Sequence, residues 1–166
     1  MLFRAYNRMV AVYYAHQWAF KRNPMFYSFD ELGGDCTNFV SQCVYAGTEV
    51  MNDTPDFGWY YISGNDKAPA WTGVPYFYNF ITREEKTMGP FGQETSLSYM
   101  QLGDVVQMKF RGKKQYGHSA IVVSTGLVPN LYNTLVAAHN QDTDFRPLYR
   151  YDFCEIRFLH IQGVIR

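Results

Sequence analysis

The hydrophobic pattern of this chain changes once along its length, and that change constrains the fold more than any other feature. From Tyr6 to about Arg22, apolar residues recur every three to four positions, as in an amphipathic helix, and Asn23-Pro24 ends the pattern. A second helix is predicted from Cys36 to about Ala46, closed by Gly47 in the left-handed conformation. A third, short helix is predicted from Val74 to about Arg83. The first half of the chain is therefore expected to be mainly helical.

The second half of the chain has the character of β-strands. Its segments alternate apolar and polar residues or are rich in β-branched residues. The predicted strands are Asp104–Phe110, Gly117–Ser124, Thr134–His139, Leu148–Tyr151 and Arg157–Val164. Helices followed by a run of antiparallel strands define an α+β fold. With 166 residues and no internal repeat or linker, the chain is predicted to form a single domain over residues 1–166.

Composition excludes several classes of function. The chain carries 15 basic and 15 acidic residues, so a polyanion-binding surface is not indicated and no nucleic-acid partner is expected. Hydrophobic residues make up 47% of the chain, which argues against disorder. No apolar run approaches the roughly 18 residues that span a bilayer, and no signal sequence is visible at the N-terminus. A soluble chain without a membrane span is expected.

Cys36 is the candidate nucleophile because of where it stands in the sequence. It follows the turn-forming pair Gly33-Gly34 and begins the second predicted helix. The first turn of a helix carries free N–H groups and partial positive charge, which favour a thiolate over a thiol and can hold an oxyanion. The position therefore predicts a reactive cysteine and an enzyme.

Two histidines are placed to serve that cysteine. His118 opens one predicted strand and His139 closes the next, so a hairpin of the two strands is expected to set them nearly opposite each other, with the two imidazoles side by side on one face. His118 is then the predicted base, and His139 orients its ring. His16 and His160 fit ordinary structural positions. No Cys-x-x-Cys or His-x-x-x-His spacing indicates a metal site, so no metal is predicted.

Motifs spread along nearly the whole chain carry a resemblance to a known family. In order they are Tyr14-Ala15 with Trp18-Ala19, Asn23-Pro24, Gly33-Gly34-Asp35-Cys36-Thr37-Asn38-Phe39-Val40-Ser41-Gln42-Cys43, Gly58-Trp59-Tyr60, Trp71-Thr72-Gly73-Val74, Leu102-Gly103-Asp104-Val105-Val106-Gln107, Gly117-His118-Ser119, and Ala137-Ala138-His139 with Asp142. With these motifs the chain resembles the family called "putative amidase domain", which is similar to the NlpC/P60 and CHAP peptidases of the papain-like group. The resemblance implies a papain-like fold, in which the nucleophile helix packs on a C-terminal antiparallel sheet.

The resemblance also implies roles for individual residues. Cys36 is the nucleophile, His118 the general base and His139 the third, orienting residue, for which Asp142 and Asn140 are alternatives. The papain motif has a glutamine oxyanion donor six residues before the cysteine, where this chain has Asp30, which cannot donate while ionised.

The remaining candidates concern the oxyanion and the substrate. The Cys36 backbone N–H is one expected oxyanion donor, and the Tyr27 hydroxyl is the candidate for the other. The segment from Val50 to Gly73 is predicted to be a long loop because it is rich in helix and strand breakers. The candidates for lining a substrate groove in or near this loop are Trp59, Tyr60, Trp71 and Asp66.

The implied activity is hydrolysis of amide bonds in cell-wall peptides (peptidoglycan) through a thioester, without a cofactor. Two other functions stay open at this point. One is a non-catalytic cell-wall-binding module of the same fold. The other is a transglutaminase-like acyl transferase with Asp142 in third place. An extracellular or cell-envelope location in a bacterium is expected if a longer parent protein carries a signal peptide.

Overall fold

A computed structural model describes residues 1–166 and shows an α+β fold, which confirms the predicted class. The helices are α1 (Arg8–Trp18), α2 (Cys36–Thr48), α3 (Pro69–Thr72) and α4 (Val74–Ile81). The strands are β1 (Phe3–Arg4), β2 (Tyr61–Ser63), β3 (Asp66–Lys67), β4 (Gly89–Thr95), β5 (Val105–Phe110), β6 (His118–Ser124), β7 (Leu135–Ala138), β8 (Thr143–Pro147) and β9 (Phe153–Ile165). No helix combines the length and the apolar character needed to cross a membrane.

The main sheet has seven antiparallel strands, of which six follow the order β1-β9-β5-β6-β7-β8 and the seventh, β4, pairs with β9. The long strand β9 lies next to one edge of the sheet, since it pairs with β4 on one side and with β5 and β1 on the other. A separate hairpin is formed by β2 and β3. Because β6 lies between β5 and β7, it is an interior strand whose first residue, His118, stands at one end of the sheet.

The sheet is buried on both faces, which explains the continuous apolar run in β6. Ile121 belongs to the larger core cluster together with Phe39 of α2, so this face of the sheet packs against the helices. Val122, the next residue, belongs to a second cluster with Met108 and Leu148 on the opposite face. Side chains that alternate between two buried faces leave no place for polar residues along the middle of the strand.

The helix of Cys36 begins where the sequence predicts and continues further. Gly47 was expected to end it, but this glycine lies inside α2, and Glu49 (φ 57°) takes the left-handed position after it. A Cβ on Gly47 would lie 2.4 Å from Cε2 of Tyr6. Gly47 therefore serves the close approach of Tyr6 rather than the end of the helix.

Other expectations differ from the structure where pairing between distant segments decides the outcome. The segment Leu148–Tyr151, predicted as a strand, is a short 3-10 helix over Leu148–Arg150. The edge strand β8 precedes it. The predicted loop Val50–Gly73 contains the β2–β3 hairpin and α3. The strand β4 was not predicted, because Gly89, Pro90 and Gly92 have poor intrinsic preference for strands and adopt this conformation through pairing with β9.

Candidate active site

Two glycines lead the chain into the first turn of α2. Gly33 and Gly34 have φ angles of 91° and 112°, values that a residue with a side chain rarely adopts. A Cβ on Gly34 would lie 2.3 Å from Nδ2 of Asn140. The Asn140 Oδ1 in turn accepts a hydrogen bond from the Asp35 N–H at 2.8 Å. The loop must therefore be glycine for the start of α2 to dock against Asn140.

Asp35, the residue before Cys36, is the anchor of this turn. Its carboxylate is buried, and Oδ1 accepts from the Phe29 N–H at 2.8 Å and from Nδ2 of Asn38 at 2.9 Å. Its Oδ2 lies 2.5 Å from Nδ1 of His139. The sequence prediction gave Asp35 no role, although its place directly before a helix is a common place for an aspartate.

His139 uses both ring nitrogens for this anchor. Its Nε2 lies 2.9 Å from the carbonyl oxygen of Trp18, which can only accept, so Nε2 carries a hydrogen. Its Nδ1 faces Asp35, and its ring stacks on Phe39 with centroids 4.1 Å apart. His139 therefore ties α1 and the start of α2 to the end of β7.

The Cys36 thiol lies in the first turn of α2 and is 5% exposed. Its Sγ is 3.8 Å from Oγ1 of Thr37 and 4.0 Å from the carbonyl oxygen of Gly117. Thr37 Oγ1 lies 3.0 Å from Oγ of Ser119. The thiol is thus held beside the backbone on both sides of His118.

The helix start was expected to favour a thiolate at Cys36, but the pKa of this thiol is shifted in the opposite direction. Burial raises the pKa of the Cys36 thiol, and backbone hydrogen bonding by Ser119 and Thr37 lowers it only in part. The helix start contributes free N–H groups, since the first helical bond is donated by Phe39 to the Asp35 carbonyl. Desolvation outweighs these groups, so the resting form is the thiol and its activation needs a base.

His118 is nearly as buried as His139, with 3% exposure, but it is bound differently. Its ring lies between Phe110 and Tyr151, with centroid distances of 5.6 and 5.7 Å, and Nε2 has no hydrogen-bond partner. Burial, with a smaller contribution from the Arg146 charge, lowers the pKa of His118 to about 4. The imidazole is therefore neutral over most of the pH range, which is the protonation state that a general base needs.

The expected opposition of His118 and His139 is wrong. Ile121 pairs with Ala137 and Val122 with Val136, a register that sets Ser119, not His118, across from His139. Because neighbouring residues on a strand point to opposite faces, the one-residue difference separates the two imidazoles. His139 lies on the helix side of the sheet, and His118 lies on the other.

The alternatives for the third residue also lie around the start of α2. Asp142 forms a two-bond ion pair with Arg22, with both N–O distances 2.9 Å, and the same guanidinium binds Asp30. Asn140 bonds Asp35 as described, and it also borders the cavity beside His118. None of the candidates donates to or accepts from the His118 ring.

The two tryptophans proposed to line a groove are core residues. Trp59 and Trp71 are fully buried, and their indole N–H groups donate to Oγ of Ser41 and Oδ1 of Asn38. Large aromatic side chains pack into a core unless the fold leaves a surface for them, so neither of these indole rings lines a groove. Asp66 lies in β3, and Tyr60 is partly exposed beside that hairpin.

Tyr27 is half exposed, and its carbonyl accepts a hydrogen bond from Nδ2 of Asn38 at 3.0 Å. Its ring packs edge-on against Phe29 at a centroid distance of 5.0 Å. Tyr27 is thus fixed next to the first turn of α2.

A cavity of about 600 Å³ opens beside His118. Its walls include Phe110, His118, Asn140, Arg146, Arg150 and Tyr151. Sequence reasoning missed Arg146, Arg150 and Tyr151, because they reach His118 only through β8 and the 3-10 helix that follows it. A larger cavity of about 740 Å³ lies beside α4 and contains none of the predicted site residues. Nowhere do three or more His, Cys, Asp or Glu side chains gather in a group that could hold a metal ion.

Comparison with known proteins identifies the class to which this fold and site belong. Residues 5–161 match the family described as "Putative amidase domain", and the chain belongs to that family. It is 28% identical over 161 residues to a protein of Bacillus subtilis (strain 168) described as "Uncharacterized protein YhbB". This match covers 91% of the chain and 50% of the relative, so the chain spans about half the length of that protein. No solved structure matches the chain.

Proposed function

We propose that residues 1–166 form a single papain-like domain, related to NlpC/P60 and CHAP peptidases, that hydrolyses amide bonds with Cys36 as nucleophile and His118 as base. The observation that carries the proposal is the placement of the thiol. It lies at the start of α2, next to Gly117 and Ser119, the residues on either side of His118. His118 itself is neutral, without a partner at Nε2, and borders an open cavity.

The reaction uses these groups in turn. Neutral His118 takes the thiol proton as Sγ attacks the amide carbonyl carbon, and the oxyanion is held by the Cys36 N–H. Tyr27 is the candidate for a second donor. When the C–N bond breaks, the His118 imidazolium gives its proton to the leaving amine. His118 then takes a proton from water as the water oxygen attacks the thioester carbonyl. When the C–S bond breaks, the His118 imidazolium returns this proton to Sγ, which releases the carboxylic acid and restores the thiol and the neutral base.

Proton transfer needs one rearrangement from the resting geometry. The Sγ contacts are with Thr37 and Gly117, and no hydrogen bond joins Sγ to the His118 ring. Proton transfer therefore requires a change of the Cys36 rotamer or a bridging water between Sγ and the His118 ring, and catalytic hydrogen bonds are often formed only with substrate bound.

His139 takes part as a positioning residue. Its bonds to Asp35 and Trp18 hold the turn that carries Cys36. Cys36 is thus proposed to act as the nucleophile, His118 as the base and His139 as a clamp on the turn that carries Cys36. No hydrogen-bonded chain from His139 through His118 to Cys36 is part of this proposal.

The proposed substrate is a peptide amide of the bacterial cell wall, and the proposed location is the cell envelope. The support is membership in an amidase-domain family, together with a thiol 4.0 Å from the carbonyl oxygen of Gly117, a residue that lines the cavity beside His118. That cavity is large enough for a peptide side chain.

Digestion of purified peptidoglycan by the wild type and by Cys36→Ala, followed by mass spectrometry of the new termini, tests the proposal. Cys154→Ala is the matched control because Cys154 is exposed on β9. We expect new amine and carboxyl termini from the wild type and the control, and none from Cys36→Ala. Release by Cys36→Ala, or no release by the wild type, contradicts the proposal. A primary amine added to the same digestion separates hydrolysis from acyl transfer, since transfer yields an amide of that amine.

A further inference from the structure

The cavity beside His118 is rich in arginine, and we call it the arginine cavity. It is lined by Arg111, Arg146 and Arg150, with Asp152 as the one acidic side chain. Arg111 is neutralised by Asp152, whose Oδ1 lies 2.7 Å from its Nε. The guanidinium groups of Arg146 and Arg150 therefore remain without an acidic partner in the cavity.

Neither Arg146 nor Arg150 takes part in any ion pair of the structure. Arg146 donates from Nη2 to the Arg150 carbonyl at 3.0 Å, and its guanidinium lies 4.5 Å from the centre of the Tyr151 ring. The nearby acidic residues are occupied, since Asp144 binds His16 and Asp142 binds Arg22. The positive charge of the cavity is thus uncompensated within the chain.

Three residues of this wall also carry buried polar atoms without partners. They are Nε2 of His118, Nε of Arg146 and the hydroxyl of Tyr151. A folded protein leaves few such atoms, and three on residues that line one cavity call for a common explanation. A ligand with acceptor oxygens hydrogen-bonds such polar atoms and also offsets the excess of positive charge. Among such ligands, a carboxylate matches the geometry of arginine well.

We propose that the arginine cavity is the subsite for a carboxylate of the substrate, held by Arg146 and Arg150 next to His118. This inference rests on the proposed function, and it deepens that function by naming the substrate class as peptide amides that carry a carboxylate. It has a consequence for the chemistry. A carboxylate bound there offsets the Arg146 charge and favours the protonated His118 that must give its proton to the leaving amine.

The first test measures binding without hydrolysis. Cys36→Ala protein is titrated with three peptides, acetyl-Ala-Glu-Ala-amide, acetyl-Ala-Gln-Ala-amide and acetyl-Ala-Gln-Ala with a free C-terminus, while the His118 ring resonance is followed by NMR. We expect at least one carboxylate peptide to bind about tenfold more tightly than the neutral one, which corresponds to about 1.4 kcal/mol. The two acidic peptides distinguish a side-chain carboxylate from a C-terminal one. Equal affinities, or no binding of either acidic peptide, overturn the inference.

Variants in the same Cys36→Ala background assign the effect to the cavity. Arg146→Gln with Arg150→Gln is expected to abolish the preference for the carboxylate, and Arg166→Gln is expected to keep it. Arg166→Gln is the control for a lost positive charge away from the cavity, because Arg166 follows the far end of β9, which runs from Phe153 to Ile165. Thermal melting confirms that each variant folds. A preference that survives the double substitution overturns the inference.

The two proposals fail in different ways. If the acidic peptides bind as expected but wild-type protein cleaves no amide, the subsite stands and the proposed hydrolase does not. If the wild type cleaves peptidoglycan but Arg146→Gln with Arg150→Gln leaves kcat/KM unchanged, hydrolysis stands and the subsite is overturned.

Discussion

His118 and His139 share residue type and depth of burial, yet their surroundings are opposite. His139 is bonded at both nitrogens, to Asp35 and to the Trp18 carbonyl, and stacks on Phe39. His118 lies between two aromatic rings with Nε2 unpartnered and borders a cavity. A buried histidine with both nitrogens hydrogen-bonded holds structure in place, whereas one with an unpartnered nitrogen beside a cavity is available for chemistry.

The largest effect is expected from a substitution of His118, the histidine available for chemistry. We expect His118→Gln to lower kcat/KM on peptidoglycan fragments by roughly 10²- to 10⁴-fold, because the base is lost. Its melting temperature is expected to stay near that of the wild type, since His118 makes no hydrogen bond through Nε2. Steady-state kinetics and thermal melting measure the two quantities. Full activity in a folded variant would mean that another group is the base.

The second largest effect is expected from a substitution of His139, the histidine that holds structure in place. His139→Leu removes the buried histidine that faces Oδ2 of the Asp35 carboxylate, and we expect a loss of about 3–5 kcal/mol in the free energy of unfolding. Urea denaturation measures it. The double variant with Asp35→Asn is expected to lose less than the sum of the single losses, because the two side chains are coupled. Additive losses would show that the pair is not coupled.

The burial of His118 also predicts how the stability of the fold depends on pH. The pKa of His118 falls from its ordinary 6.5 to about 4 in the folded chain. Between these values the unfolded chain binds the proton and the folded chain does not, so lowering the pH favours unfolding. This contribution of His118 to the free energy of unfolding is fully present above pH 6.5. It is lost as the pH falls toward 4, by about 3 kcal/mol in total. Urea denaturation at several pH values should show this slope in the wild type and a shallower one in His118→Gln; identical slopes would contradict it.

The smallest effect concerns the partly exposed network that surrounds the His139 clamp. Arg22 bridges Asp30 and Asp142, and it lies 3.7 Å from the Asp35 carboxylate. We expect Arg22→Gln to cost about 1 kcal/mol or less, because solvent screens such pairs. Urea denaturation at low and high salt is the measurement. A loss as large as that of His139→Leu would place Arg22 within the clamp itself.

Local sequence patterns predicted the elements that form from neighbouring residues. The helix at Cys36 began where the glycine pair and the apolar spacing indicated, and three main strands lie within a residue of their expected limits at β5, β6 and β7. The strand β4 escaped prediction, because its glycines and proline adopt that conformation only through pairing with β9. The tryptophans at 59 and 71 were misplaced for a similar reason, since burial is decided by what packs against a side chain.

The α+β class and the place of Cys36 at the start of a helix follow from local patterns, because helix starts, glycine turns and hydrophobic periodicity are properties of neighbouring residues. The surroundings of the two histidines depend instead on contacts between distant parts of the chain. The β6–β7 register and the contact of His139 with Asp35, 104 residues away, depend on strand pairing and helix docking. A shift of one residue reverses the face on which a strand side chain lies, and nothing within a single strand specifies that shift.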